Sequence, residues 1–122
     1  MKINRQNTYK KIIIDKYDDN GFIISGERII GPIFVSENKY FKLNNNTIDL
    51  SIIIESLKLI KPVDILLVGS PDNFIINYKE ILSSYKNLNI ESMQTGSCCR
   101  TYNLLIAENR RVAAAIYPLK SN

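Results

Sequence analysis

The residues best placed to do chemistry lie in two short stretches, Gly69-Ser70 and Thr95 to Arg100, TGSCCR. In the second, Cys99 is a thiol beside the cation Arg100, and Thr95 and Ser97 carry hydroxyls able to cap a helix that starts there. The first amides of a helix point outward unpaired and carry partial positive charge, so such a start can hold a small anion or lower a thiol pKa. The ordinary alternative is a helix start that meets water and a capping side chain, with Cys99 a small buried hydrophobe. Together with Arg110, the candidate crevice residues are Gly69, Ser70, Thr95, Gly96, Cys99, Arg100 and Arg110.

No catalytic set accompanies them. The chain has no histidine, so neither an imidazole-activated nucleophile nor a histidine-ligated metal can be built. No carboxylate pair suggests acid-base work, and Asp72, the acid of the first loop, sits in ordinary turn chemistry beside Pro71 and Asn73. The residues lean away from an enzyme, and neither a cofactor nor a metal is expected. Two adjacent cysteines make no disulfide framework and suit a reducing compartment.

The elements that position these residues follow from apolar spacing. From Lys11 to Val35, short apolar runs alternate with turns, which reads as strands in hairpins, with Asp18-Asp19-Asn20-Gly21 and Gly26 as turn points. A helix is expected from a cap at Thr47 or Asp49 through Ile60, with Ile52, Ile53, Leu57 and Ile60 on its apolar face and Pro62 ending it. Asp64 to Val68 reads as a buried strand, Asn77 to Tyr85 as a helix, and Asn89 to Met93 as a second strand that ends at Thr95-Gly96. The next helix carries Cys98, Tyr102 and Leu105 on one face. Tyr102 is expected in the core with its hydroxyl satisfied, Asn103 bonded to nearby backbone, and Asn109 in the left-handed conformation past the helix end. Val112 to Tyr117, VAAAIY, is a buried strand whose alanines admit a close helix.

The expected fold is α/β: a single three-layer domain over residues 11–120, with N-terminal β-hairpins followed by α-β-α-β-α-β and a mainly parallel central sheet. Gly69-Ser70 and Thr95-Gly96 then both follow the carboxyl ends of parallel strands, where open α/β sheets place ligand crevices. The two turns should lie side by side with Arg100 or Arg110 nearby.

The pattern TG-x-x-CRTYNLLIAE-x-RRVAAA, Thr95 to Ala115, resembles the signature of the Mth-domain family of small domains of unknown function, whose members include a mitochondrial NADH dehydrogenase (complex I) assembly factor and an adipogenesis-associated protein. GFIISGERIIGPIFV, from Gly21, is similar to the family's opening hairpins, and VDILLVGS, from Val63, to its middle strand and following loop. The chain departs from the pattern at Pro71, where a second glycine is common, at Asn109 for a glycine, at Tyr40-Phe41 for a tryptophan and at Cys98 for an alanine; Cys99 matches the family cysteine. The resemblance implies the Mth-domain fold and a non-catalytic role in assembly, with protein partners among respiratory-complex or membrane-insertion subunits. The residues alone also allow a small ligand-binding protein or enzyme that uses the crevice for an anion.

Composition narrows the rest. A length of 122 residues with 45% hydrophobic content supports one core without metal or disulfides. The net charge of +4, from 16 basic and 12 acidic residues, is scattered and forms no basic stripe with interleaved aromatics, so nucleic acid is not an expected partner. No apolar stretch reaches the roughly 18 residues of a membrane span, and Met1 to Lys11 lacks the apolar core of a signal peptide, so a cytoplasmic location is expected. Residues 1–10, with Lys2, Arg5 and Lys10 and no acid, read as a solvated, poorly ordered basic terminus. Oligomeric state is not legible.

Overall fold

The computed structural model describes residues 10–71, 83 and 85–120. The basic terminus before Lys10, Asp72, and the helix expected over 77–85 apart from Ser83 and Tyr85 lie outside them.

The opening hairpins divide between two sheets. Strands β1 (Ile14–Tyr17), β2 (Gly21–Ile24) and β3 (Glu27–Ile30) form an antiparallel sheet of their own. In the first turn the Asp18 carboxylate accepts from the amides of Asn20 and Gly21 at 2.9 and 3.0 Å, so an aspartate side chain rather than a positive-φ Asn-Gly pair closes it. The second turn is Ser25-Gly26, with φ of 52° and 80°, the geometry that matches strand twist in a two-residue hairpin. Gly31, at φ 98°, followed by Pro32 then breaks the ladder and carries the chain out of this sheet.

The second sheet collects β4 (Ile33–Ser36), β5 (Tyr40–Lys42), β6 (Ile65–Ser70), β7 (Asn89–Gln94) and β8 (Val112–Ile116), in the order β5-β4-β8-β6-β7. Strand β6 runs parallel to both β7 and β8, whereas β4 is antiparallel to β8 and β5. The sheet is therefore mixed, not mainly parallel. The difference comes from β4: its four buried residues, IFVS, satisfy both faces of a central strand, and nothing in such a run specifies which sheet or which direction it takes.

Two helices are described. In α1 (Leu50–Leu57), Asp49 caps the start, accepting from the amides of Ser51 and Ile52, as its sequence position suggests. Helix α2 (Thr95–Ala107) ends before Asn109, which takes φ 63° as expected. Successive residues of β6 alternate between the two faces of the sheet. Ile65 and Leu67 join Phe22, Ile24, Cys98, Tyr102 and Ile106 under α2 and the three-stranded sheet, while Leu66 and Val68 join Phe34, Ile53 and Leu57 under α1. Each such fully buried aliphatic or aromatic side chain contributes about 1.5–3 kcal/mol, which is why this sheet needs cover on both faces.

Helix α2 is tied to β1 along its length. Tyr102, wholly buried, donates its hydroxyl to the carbonyl of Ile12 at 2.8 Å. Asn103 accepts from the amide of Ile14 at 2.9 Å and donates to its carbonyl at 2.8 Å. The side chain of Asn103 thus completes the outer edge of β1 as another strand would. Lys11 reaches Asn109 at the far end of the same helix.

Candidate functional site

Strand β7 runs directly into α2 without an intervening turn. Gln94 is the N-cap, extended at φ −69° and ψ 157°, and no side chain caps the helix. Thr95 and Ser97 therefore do not cap it. The Thr95 hydroxyl, fully buried, donates instead to the carbonyl of Tyr117 at 2.7 Å and pins the helix start to the end of β8. A buried hydroxyl so engaged contributes about 0.5–1.5 kcal/mol and is not available to a ligand.

Gly96 lies inside α2 with ordinary helical backbone, so the need for glycine is spatial. A Cβ there would stand 2.5 Å from the Tyr17 hydroxyl, which reaches across from β1. Gly69 likewise lies inside β6 rather than in a turn, and its Cβ would stand 2.5 Å from Cys98 Cβ. Both glycines permit close packing: one admits α2 onto β6, the other admits β1 onto α2.

The two strand ends do lie abreast, with Ser70 in register with Gln94. Beyond them opens a shallow cleft of about 290 Å³ lined by Tyr17, Pro71, Gln94, Thr95, Gly96, Ser97, Arg100 and Leu119. Of the expected set, the structure brings Thr95, Gly96 and Arg100 to this cleft. Ser70 is buried beside it at the end of β6, and Gly69 lies beneath α2. Cys99 is 3% exposed, and burial pushes its thiol up to about 12 against the opposing pull of the Arg100 charge. Desolvation outweighs both the neighbouring cation and the helix start, so Cys99 is a neutral thiol at pH 7. Cys98 is likewise buried, with its thiol raised by burial. Arg110 stands apart, following the opposite end of a 13-residue helix. At about 1.5 Å per residue its backbone lies roughly 20 Å from the cleft.

Arg100 is exposed, and its Nη2 meets the Ser97 hydroxyl at 3.5 Å, the outer limit of a hydrogen bond. No ion pair holds it among the described residues. The cleft thus offers one guanidinium, the first amides of α2 and an apolar rim of Tyr17, Pro71 and Leu119. Among the described residues no cluster of three His, Cys, Asp or Glu side chains is placed to hold a metal. Tyr17 and Leu119 carry no signal in the sequence. They reach the cleft because β1 packs on α2 and because the chain after β8 turns back, the amide of Lys120 donating to the carbonyl of Asp19 at 2.7 Å.

Among the described residues a mixed five-stranded sheet backed by two helices and a smaller antiparallel sheet, with a cleft where β7 becomes α2, makes a small α/β fold of the Mth938-like kind. The structure overlays a Mth938-like domain of Bordetella pertussis, solved by NMR, with TM-score 0.79 and 19% identity over 100% of this chain and 95% of that one. It overlays a crystal structure described as an outer membrane protein from Bartonella henselae with TM-score 0.70 and 23% identity, covering 90% and 97% of the two chains. The chain belongs to the family described as protein of unknown function (DUF498/DUF598), whose model matches residues 14–117. A relative in Xenopus tropicalis, NADH dehydrogenase [ubiquinone] 1 alpha subcomplex assembly factor 3, is 33% identical over 113 residues, 88% of this chain and 61% of its own length. The chain therefore spans about three fifths of that relative. Among the described residues no helix is long and apolar enough to cross a membrane.

Proposed function

We propose that this chain is a protein-interaction domain that works in the assembly of a respiratory NADH dehydrogenase, acting from the cytoplasm on respiratory-complex or membrane-insertion subunits. The observation that carries this reading is the 33% identity to assembly factor 3 over nearly the whole described fold. The site's chemistry agrees with it. Its thiol is buried and neutral, its Thr95 hydroxyl is engaged with Tyr117, and what faces solvent is a cation within an apolar rim, a surface suited to contact rather than to proton transfer.

The test is a quantitative pull-down from native lysate comparing wild type with Arg100→Glu, an exposed position whose change leaves the fold intact. Enrichment of NADH dehydrogenase subunits by wild type supports the reading, and their loss in the variant places the contact at the cleft. No enrichment above control refutes it. A second reading, a small anion held at the cleft, draws on the exposed guanidinium of Arg100, which no ion pair holds among the described residues. It requires that inorganic phosphate or a carboxylate metabolite raise the melting temperature of wild type and not of Arg100→Glu.

A further inference from the structure

The turn between β1 and β2 contains the chain's only Asn-Gly pair, Asn20-Gly21. Such a pair carries chemistry of its own, because asparagine is a labile side chain and glycine leaves its nitrogen unhindered. The glycine nitrogen attacks the side-chain amide carbon of the asparagine. A C–N bond closes a five-membered succinimide, the nitrogen gives its proton to solvent, and the side-chain nitrogen departs as ammonia. Water then opens the ring at either carbonyl, leaving aspartate or isoaspartate, and no other reactant is consumed. The attack needs a glycine nitrogen released from its hydrogen bond and a peptide free to swing toward the side chain.

The fold withholds both conditions. Gly21 donates its amide proton to Asp18 Oδ1 at 3.0 Å, and Asn20 donates its own to the same oxygen at 2.9 Å. A carboxylate holds such a proton more firmly than a neutral acceptor does. Asp18 is held in turn by Arg28, whose Nη1 meets Oδ2 and whose Nη2 reaches Oδ1 at 3.2 Å. On the other side of the same peptide the Asn20 carbonyl accepts from the Gly31 amide at 2.9 Å, and the Gly21 carbonyl accepts from the Asp18 amide at 3.0 Å. Gly21 is buried and in register with Ile30. It cannot be exchanged for a less reactive neighbour, since a Cβ there would stand 2.0 Å from the Ile29 carbonyl oxygen. The packing that fixes the turn thus obliges the chain to keep the reactive pair, while Asn20 itself is exposed and within reach of water.

We propose that Asn20 is a deamidation site that Asp18 and Arg28 keep closed in the folded chain, so that its conversion records an opening of the turn. The inference goes beyond the interaction reading and does not depend on it. Isoaspartate inserts an extra carbon into the main chain between residues 20 and 21, so the bonds to Asp18 and from Gly31 cannot both persist across it. Either product also adds a carboxylate beside Asp18 and Asp19. Asp19 is where the chain after β8 is tied down, its carbonyl accepting from the Lys120 amide at 2.7 Å and its carboxylate pairing with the Lys120 ammonium at 3.3 Å. That tie carries Leu119 to the cleft. The modification therefore strikes the hairpin and one wall of the cleft together, and refolding does not reverse it.

The test incubates the full chain and, in parallel, the capped peptide Tyr-Asp-Asp-Asn-Gly-Phe in mildly alkaline buffer well below the melting temperature. Peptide mapping with mass spectrometry reads aspartate and isoaspartate at position 20. Folded wild type is expected to convert more slowly than the peptide by about tenfold or more, the factor that a hydrogen bond to a charged acceptor supplies. Asp18→Ala removes the acceptor and should restore about tenfold in rate, with Arg28→Ala, which loosens the carboxylate but keeps it, in between. Gly69→Ala strains the contact of α2 with β6 and leaves the turn alone, so it should convert as slowly as wild type. Amide exchange in β8 verifies that each variant is folded, and if Asp18→Ala is not, Arg28→Ala carries the comparison. Three results would each overturn the proposal: wild type converting at the rate of the peptide, folded turn variants converting no faster than wild type, or Gly69→Ala converting as fast as the turn variants. The last would make global unfolding the gate in place of the turn.

Discussion

Gly69→Ala separates a glycine kept for packing from one kept for a ligand. The added methyl would meet Cys98 Cβ at 2.5 Å, Cys98 Sγ at 2.9 Å and Ile116 Cγ2 at 3.2 Å. Cys98 Cβ is fixed to the helix backbone and cannot rotate away, so relief requires lifting α2 from β6. Overpacking of this kind costs about 1–3 kcal/mol, and the upper end applies because the obstruction is not the tip of a flexible side chain. For a chain of this length that corresponds to a melting temperature about 10 °C lower. Urea denaturation of the single and paired variants isolates the cause. Cys98→Ala keeps the offending Cβ and should rescue Gly69→Ala little. Cys98→Gly removes it, and although a helical glycine costs about 1 kcal/mol, the pair should be more stable than the sum of the single effects by about 1–2 kcal/mol. A Gly69→Ala protein that melts with wild type, or a coupling of zero with Cys98→Gly, would refute the argument from close approach.

Gly96→Ala should behave differently although its Cβ also has a neighbour at 2.5 Å, because that neighbour is the hydroxyl end of the half-exposed Tyr17, which can swing aside. Calorimetry should find a change within about 1 kcal/mol of zero, since alanine's better helix propensity offsets the displacement. Asn103→Ala removes both bonds to Ile14 and should cost about 2 kcal/mol by denaturant titration, with faster amide exchange in β1. Iodoacetamide at pH 8 should label Cys99 only at the rate of unfolding, because its thiol sits at about 12; rapid labelling of folded protein would contradict the burial argument. Asp18 is held at about 2, below its ordinary 3.8, chiefly by its hydrogen bond from Arg28. A depressed folded pKa contributes stability above about pH 4 that is lost as pH falls toward 2, so the melting temperature should drop across that window and Arg28→Ala should flatten the drop.

Much of the fold was legible because its signals are local. Asp49 caps α1 by bonding amides two and three residues along, and Asn109 takes φ 63° because a helix end needs a left-handed residue. VAAAI is buried on both faces, as an unbroken run of small apolar residues must be. The placement of Ser70 beside Gln94 likewise follows from two strands flanking one crossover, so the cleft's position, though not its contents, could be inferred.

What was not legible depended on distant partners. Thr95 reads as a cap, but a hydroxyl bonds whichever acceptor lies nearest, and packing brings the Tyr117 carbonyl to 2.7 Å. Gly69 and Gly96 read as turn glycines, yet each is needed for an atom from another element, Cys98 Cβ and the Tyr17 hydroxyl, that no spacing along the chain reveals. Cys99 combines a helix start with a neighbouring arginine, two local features that favour thiolate, and both lose to desolvation, which is a property of the assembled core. The antiparallel entry of β4 beside β8 is a choice of the same kind: apolar pattern states that a strand is buried, while direction and neighbour are fixed only when all the strands compete for cover. Chain-local chemistry set the elements and their ends, and long-range packing set which side chains meet at the cleft.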